Sequence, residues 1–219
     1  MMRAIIFVNG KVDDYTALAR LIQSDDYLIA ADGGAKHCLA LQRTPHALIG
    51  DLDSVDQATV DTFQQQQVYI ERYPPDKNQT DLELALDHAL AVAVDRAIQE
   101  IILVGGMGGR LDQMLGNVLI LAQRDWPIPV IFAEGRTRAQ IVQANSHLTL
   151  AVNVGDTVSV LPLSDRVTGI TYTGMRYPLE NHTLTLGSTR GMSNNVVALP
   201  ATVTIGTGKL LVITTAGTA

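Results

Sequence analysis

The sequence predicts an α/β protein, with an N-terminal doubly wound, mostly parallel sheet and a C-terminal antiparallel β-sandwich domain. Up to about Gly135, short apolar runs alternate with helical patterns, which is typical of parallel strands joined by crossover helices. From about His147 the chain consists of short Thr- and Val-rich pieces separated by turn residues, and no long helical period remains. We therefore predict a catalytic α/β domain over residues 1–138 and a β-sandwich domain over residues 139–219.

In the first domain, short apolar runs predict buried strands, and apolar residues spaced three and four apart predict helices. The fourth helix has the clearest start, because Thr80 and Glu83 have the spacing of a capping box. The predicted strands are Ala4–Val8, Tyr27–Ala31, Ala47–Ile49, Val68–Ile70, Ile101–Val104 and Val130–Ala133, and the predicted helices are Tyr15–Gln23, Ala35–Gln42, Gln57–Gln66, Asp81–Val94 and Leu111–Arg124.

The second domain is predicted to be built of short strands only, after a domain boundary around Arg136–Ser146. Because this part is small, we expect some of its apolar surface to be buried on the first domain or on a second subunit. The predicted strands are Leu148–Val152, Thr157–Leu161, Val167–Tyr172, Thr183–Leu186, Val196–Val203 and Leu210–Thr214.

Composition excludes several classes of partner. The net charge of −6 argues against nucleic acid, because a protein that binds the phosphate backbone needs a basic face. The single cysteine, Cys38, excludes an intrachain disulfide and suits a reducing compartment. No run approaches the ~18 apolar residues of a membrane helix, and the N-terminal apolar run is too short for a signal peptide. We therefore expect a cytoplasmic protein that binds neither nucleic acid nor membrane.

Three acidic clusters each follow a predicted strand, where the carboxyl ends of parallel strands form the ligand crevice of an open sheet. In Gly50-Asp51-Leu52-Asp53-Ser54, both carboxylates can reach one cation. Mg²⁺ prefers oxygen ligands and needs only one or two carboxylates plus substrate phosphates. The alternative for this segment alone is a surface turn that caps the next helix. With two further clusters, over Asp76–Asp81 and Gly105–Asp112, the pattern predicts a site for Mg²⁺ and polyphosphate.

The other clusters add cationic groups and glycines. Asp81 alone fits a favourable charge at a helix N-terminus, but Lys77 beside it fits neutralisation of a migrating phosphoryl group. Glycines at 105, 106, 108 and 109 let the backbone approach a phosphate, although the pattern is neither a Walker A loop nor a dinucleotide fingerprint. Arg110 is then a phosphate clamp, and Asp112 is a metal ligand or a hydroxyl acceptor.

Two weaker features remain open. Asp32-Gly33-Gly34 is either a strand–helix turn capped by Asp32 or a contact to a nucleotide or second substrate. The five histidines lack the spacing of metal ligands, and each is interpreted as a surface or helix-face residue.

These motifs together resemble those of thiamine pyrophosphokinases. The matching pieces follow one another in the family's order: Asp32–Ala35, Gly50–Ser54, Asp76–Glu83, Gly105–Asp112, Tyr177–Asn181 and Gly187–Asn194. The resemblance implies an α/β catalytic domain, a β-sandwich that helps to bind thiamine, and a homodimer with active sites at the subunit interface. It also implies the reaction, in which the hydroxyl of thiamine attacks the β-phosphorus of ATP in the presence of Mg²⁺ and gives thiamine diphosphate and AMP.

The resemblance also implies roles for individual residues. Asp51, Asp53 and Asp81 match the group that binds Mg²⁺ and diphosphate, and Ser193 and Asn194 match the thiamine-binding pair. The surrounding catalytic and nucleotide contacts are Asp32, Gly33, Gly34, Asp76, Lys77, Gln79, Thr80, Gly105, Gly106, Gly108, Gly109, Arg110 and Asp112.

The chain departs from the family pattern in three places. Gln113 stands where bacterial relatives often have His, and Asn195-Val196 replaces an acidic–aromatic pair. No Trp is present in the C-terminal domain to stack on thiamine, which leaves Tyr177 as the candidate.

Two other functions are compatible with the same residues. A pterin diphosphokinase of related α/β type would use the acidic turns on another acceptor, although Ser193-Asn194 and the β domain favour thiamine. A catalytically silent thiamine- or nucleotide-binding regulator is the other alternative, and the intact set of carboxylates argues against it.

Overall fold

The structure is a computed structural model that describes residues 1–217. It divides into two compact units. The first comprises residues 1–120 and 128–135, and the second comprises residues 121–127 and the chain from Arg136 onward. None of the helices in the described residues is long and apolar enough to cross a membrane.

The first unit is a parallel sheet with the strand order β6-β5-β1-β2-β3-β4. Its strands are β1 (Met2–Phe7), β2 (Tyr27–Ala31), β3 (Ala47–Gly50), β4 (Tyr69–Arg72), β5 (Ile98–Val104) and β6 (Val130–Glu134). The helices that connect them are α1 (Tyr15–Leu21), α2 (Ala35–Ala40), α3 (Gln57–Gln65), α4 (Asp81–Ala91) and α5 (Leu111–Gln123), and a short 3-10 turn over Asp32–Gly34 precedes α2.

The strand order reverses beside β1. The chain runs from β1 to β4 on one side of this strand and returns to β5 and β6 on the other side. In an open α/β sheet, ligands bind at the carboxyl ends of the strands where such a reversal opens a crevice. The loops that follow β1, β2, β3 and β5 are therefore the expected walls of a site.

Helices cover both faces of this sheet, which explains why its central strands β1, β2 and β3 are almost entirely apolar. In β1, Ile5 and Phe7 pack with Leu18 of α1, Cys38 of α2 and Phe63 of α3 in one buried cluster. Helix α4 packs against β1, β2 and β3, and within the described chain it contributes no residue to that cluster, so it covers the opposite face. The capping box predicted at its start is confirmed.

The second unit consists of two antiparallel sheets, β12-β9-β14-β7 and β11-β10-β13-β8. Buried residues of both sheets form one core, with Val160 and Val212 from the first sheet and Val167 and Val203 from the second. The predicted α/β fold with an antiparallel sandwich is confirmed. The strands are β7 (Thr137–Val142), β8 (Ser146–Thr149), β9 (Thr157–Pro162), β10 (Arg166–Thr173), β11 (His182–Thr185), β12 (Asn194–Asn195), β13 (Thr202–Ile205) and β14 (Leu210–Thr215).

The structure differs from the predicted strands of this unit in two places. The segment around the predicted domain boundary contains strand β7, which is absent from the predicted strands and pairs with β14 along its whole length. The predicted strand Val196–Val203 is wrong, because regular pairing begins only at Thr202. Pro200 lies inside the predicted run, and proline has no N–H to donate to a sheet ladder.

Candidate active site

An open cleft of about 820 Å³ lies at the carboxyl ends of the strands of the first unit. Its walls are the loops after β1, β2, β3 and β5, together with the start of α4. These are the loops at which the strand order reverses, so the cleft occupies the position that the topology predicts for a ligand site.

Three carboxylates converge in this cleft. Asp32, Asp51 and Asp53 each have an oxygen within 4.8 Å of the others. Leu52 lies between the last two, and its φ of +64° turns the chain there. Its side chain packs in the core cluster and so anchors the turn. Asp32 is buried with φ of +45°, and its Oδ1 accepts a hydrogen bond of 3.4 Å from the Ser54 amide.

Lys77 joins this group to the start of α4. Its Nζ lies 2.8 Å from Asp51 Oδ2 and 3.0 Å from Asp81 Oδ1. Burial alone would lower the pKa of Lys77, but its contacts with the two carboxylates outweigh burial and raise it. The same ammonium group lowers the pKa of Asp51, whereas burial raises the pKa of Asp81.

The carboxylates suit a hard divalent cation. All donors are oxygens, as Mg²⁺ prefers, and gathering like charges without a cation is unfavourable. Within residues 1–217, Asp81 Oδ1 is buried and makes no hydrogen bond of good geometry, so it has capacity for a further partner. The sequence predicts Asp51, Asp53 and Asp81 as ligands. The structure adds Asp32 as a candidate, and the choice among the four stays a prediction.

The glycine loop after β5 packs closely against the loop after β1. The Gly10 amide donates to Gly105 O at 2.9 Å, and a Cβ on Gly10 would lie 2.0 Å from that oxygen. Gly105 and Gly109 have φ of +73° and +102°, which glycine adopts readily. The backbone of both loops can therefore approach a ligand closely on this side of the cleft.

Two side chains outside the loop hold its backbone. Glu134 Oε2 accepts from the Met107 amide at 3.0 Å, and Asn117 Nδ2 donates to Gly106 O at 2.9 Å. Burial raises the pKa of Glu134, although its hydrogen bond opposes that shift. These contacts fix a loop that carries little side-chain structure of its own.

The predicted glycines serve different purposes. Gly105, Gly108 and Gly109 line the cleft. At the other three positions, a Cβ would collide with neighbouring atoms: with the Asn9 side chain at Gly33, with Phe7 O at Gly34, and with the Phe132 ring at Gly106. These three glycines thus permit close packing around the cleft.

Some predicted residues are peripheral in this structure. Asp76 and Gln79 are exposed and do not line the cleft, whereas Thr80 does. Arg110 lines the cleft and pairs with Asp112 at 2.5 Å, and this contact lowers the pKa of Asp112 to about 2. Gln113, one of the departures from the family pattern, also lines the cleft.

Sequence reasoning missed the wall that follows β1. Asn9, Lys11 and Tyr15 line the cleft, as do Lys36 and His37 at the start of α2. Lys36 Nζ donates to Asn9 O at 2.8 Å and to Asn9 Oδ1 at 2.7 Å. The Asn-Gly pair after the first strand is the one local signal that indicates a loop here. The cleft thus contains five cationic or polar side chains that the acidic motifs do not indicate.

The interpretation of His37 as a surface or helix-face residue needs correction. Its side chain faces inward, and the residue is 1% exposed. Burial lowers its pKa, with a further decrease from nearby Lys36.

The second unit contains the predicted thiamine-binding pair. Ser193 is exposed, and its amide donates to Ser159 Oγ at 3.0 Å. Asn194 is buried; its Nδ2 donates to Tyr177 O at 2.8 Å, and its Oδ1 accepts from the Tyr177 amide at 3.0 Å. Asn194 therefore positions the backbone at Tyr177, whose side chain is exposed. Asn194 and Tyr177 border a small hollow of about 170 Å³, which Ser193 does not line.

Comparison with known proteins identifies the family. A model described as "Thiamin pyrophosphokinase, catalytic domain" matches residues 18–132, and one described as "Thiamin pyrophosphokinase, vitamin B1 binding domain" matches residues 145–212. The chain belongs to the thiamin pyrophosphokinase family. The first match contains the aspartates and the glycine loop of the cleft, and the second contains Ser193 and Asn194. The predicted resemblance is confirmed, while the roles of individual residues stay predictions.

Relatives in this thiamin pyrophosphokinase family match nearly the whole chain. The thiamine pyrophosphokinase of Bacillus subtilis is 30% identical over 186 residues, which is 84% of this chain and 85% of the relative. Thiamin pyrophosphokinase 1 of Caenorhabditis elegans is 27% identical, over 87% of this chain and 80% of the relative. The crystal structure of the Bacillus subtilis protein superimposes with a TM-score of 0.84 and 25% identity, covering 100% of both chains.

Proposed function

We propose that this enzyme is an ATP:thiamine diphosphotransferase, which forms thiamine diphosphate and AMP. The observation that carries the proposal is the cleft, where carboxylates, cationic side chains and glycine backbone meet in the unit matched by the catalytic-domain model. Membership of the thiamin pyrophosphokinase family supports the same reaction, and so do the names of the relatives. Neither a pterin acceptor nor a silent regulator is favoured by these matches.

The residues of the cleft suit transfer of a diphosphoryl group. Such transfer depends on positioning and charge neutralisation more than on covalent chemistry of the protein. The glycine backbone, Lys36 and Arg110 would bind the polyphosphate. The thiamine oxygen then attacks the β-phosphorus, the bond between the β-phosphorus and the bridging oxygen to the α-phosphate breaks, and AMP leaves. The hydroxyl proton is released in the same reaction.

Magnesium completes the proposed site. Asp32, Asp51 and Asp53 would hold the ion, with Asp81, whose Oδ1 contacts the Lys77 ammonium group, beside them. When bound, Mg²⁺ supplies positive charge that offsets the negative charge of the transferring phosphates. Lys77, which contacts both Asp51 and Asp81, supplies a further cation at this edge of the cleft.

The proposal includes a cytoplasmic homodimer with its active site at the subunit interface. Helix α5 supports association, since Leu111, Leu115 and Leu119 are 64%, 51% and 58% exposed. Residues four apart lie on one face of a helix, so these leucines form an apolar stripe that a second subunit would cover.

The reaction is tested by identifying the products of ATP, thiamine and Mg²⁺. We expect AMP and thiamine diphosphate in equal amounts, and no turnover when the metal is chelated. Formation of ADP and thiamine monophosphate would contradict the proposed transfer. Turnover of a pterin alcohol without turnover of thiamine would favour the alternative acceptor, and thiamine binding without AMP release would favour the silent regulator.

A further inference from the structure

A buried histidine and a tyrosine form a hydrogen-bonded pair in the wall of the cleft. His37 Nε2 lies 3.1 Å from Val8 O, and His37 Nδ1 lies 2.7 Å from the Tyr15 hydroxyl. Both side chains line the cleft, although the two residues are 22 positions apart in the chain. Tyr15 also precedes residues 18–132, which the catalytic-domain model matches.

The chemistry of these contacts determines which groups donate. A carbonyl oxygen can only accept, so Nε2 of His37 must carry the proton that bonds to Val8 O. Burial lowers the pKa of His37, which keeps the ring neutral and leaves Nδ1 with a lone pair. The Tyr15 hydroxyl must therefore donate to Nδ1. Its proton is then used, and the tyrosine oxygen has only lone pairs to offer a ligand.

We infer that Tyr15 determines nucleotide specificity by accepting a hydrogen bond from a donor group of the nucleotide, and that His37 is the positioning residue that fixes this polarity. The donor is a ribose hydroxyl or the exocyclic amine of the base. The inference rests on the proposed function, because it takes the cleft as the nucleotide site. A nucleotide that offers an acceptor in place of this donor would meet lone pairs and bind more weakly.

Equilibrium binding tests this inference separately from turnover. Dissociation constants are measured by calorimetry with Mg²⁺ for ATP, 2′-deoxy-ATP, 3′-deoxy-ATP and purine riboside triphosphate, which lacks the exocyclic amine. We expect the wild-type protein to bind one of these analogues about three- to tenfold more weakly than ATP, as for the loss of one hydrogen bond. The analogue that is affected identifies the donor. Tyr15→Phe should bind ATP and that analogue equally.

A second pair of variants tests the positioning role. His37→Gln keeps a donor for Val8 O but removes the ring acceptor, so it should reduce the same discrimination. Because His37 acts only through Tyr15, the double variant should show the same ratio of dissociation constants for ATP and the analogue as Tyr15→Phe alone. Tyr27→Phe is a matched control, since the Tyr27 hydroxyl lies 3.1 Å from His88 Nε2 and Tyr27 does not line the cleft. Tyr27→Phe should leave the ratio of each analogue's dissociation constant to that of ATP unchanged.

Several results would overturn the inference. These are equal binding of all four nucleotides by the wild type, unchanged ratios in Tyr15→Phe, or independent and additive effects of Tyr15→Phe and His37→Gln. Failure of the wild type to bind ATP would also overturn it. ATP binding with the expected ratios but without AMP formation would contradict only the proposed reaction.

Discussion

Asp32 shows how one backbone conformation contributes to the candidate site. Its φ of +45° lies in the left-handed region, which aspartate and asparagine adopt more readily than most residues. Parallel pairing of β2 with β3 sets Ala31 beside Ile49, so the residues that follow these strands are neighbours. Asp32 therefore meets Asp51 and Asp53, although it lies 19 positions before the nearer of them in the sequence.

Asp32→Asn should separate a metal ligand from a structural residue. Asparagine tolerates the same φ but removes one negative charge from the cluster, so we expect weaker Mg²⁺ binding and a loss of turnover of about a hundredfold or more. The melting temperature in the presence of a chelator should stay the same or rise, because repulsion among the carboxylates decreases. Metal titration, steady-state kinetics and thermal denaturation provide the three measurements.

Asp95→Asn is the matched control, since Asp95 is exposed, outside the cleft and not among the predicted site residues. It should change none of the three measurements. An Asp32→Asn variant with wild-type Mg²⁺ affinity would remove Asp32 from the candidate ligands.

At the scale of elements, local patterns predict some parts of the structure well and others poorly. The central strands of the first unit are predictable because both sheet faces are buried there and β1, β2 and β3 contain short, almost entirely apolar runs. Strand β7 is not, because only Ala139 and Val142 are buried along its six residues, and they show neither a continuous apolar run nor a strict alternation. The acidic motif after β3 is equally predictable, because its two aspartates lie one residue apart in the sequence. By contrast, the Tyr15–His37 pair depends on a contact between two distant helices, and no local spacing encodes it.

Helix α5 provides the test of association. Leu115→Glu should convert the proposed dimer to a monomer, because a charge in the middle of the apolar stripe would have to be buried in the interface. Val94→Glu is the control, since Val94 is 88% exposed and lies outside this helix. We expect sedimentation to show a monomer for the first variant and a dimer for the second. A dimer of unchanged affinity in Leu115→Glu would exclude this stripe as the interface.

The stability of the whole molecule should depend on pH through three histidines whose pKa is lowered in the folded protein. His46 and His88 both contact Tyr27, and their ring centroids lie 4.8 and 6.1 Å from the centroid of the Tyr27 ring. The Arg96 guanidinium lies over the same ring, 4.3 Å from its centroid. Burial lowers the pKa of both histidines, and Arg96 lowers each further, while Glu71 opposes the shift at His88. His37 has a lowered pKa for a similar reason. The folded protein therefore favours three neutral imidazoles.

This arrangement predicts loss of stability in mild acid. The unfolded chain binds protons near pH 6.5, about the ordinary histidine value, whereas the folded chain binds them only at lower pH. The free energy of unfolding should therefore decrease as the pH falls through about 6.5. His88→Gln should reduce this dependence, and His147→Gln, at an exposed position, should not. Denaturant unfolding at a series of pH values measures the slope, and an identical slope in His88→Gln and the wild type would contradict this account.

The most direct test of the central claim is the fate of a phosphorus label. ATP that carries radioactive phosphorus at the α or the β position is incubated with the enzyme, thiamine and Mg²⁺, and the products are separated. Attack at the β-phosphorus predicts that the β label appears in thiamine diphosphate and that the α label appears in AMP alone. Recovery of the α label in a thiamine product, or of the β label in a nucleotide product, would contradict diphosphate transfer at this cleft.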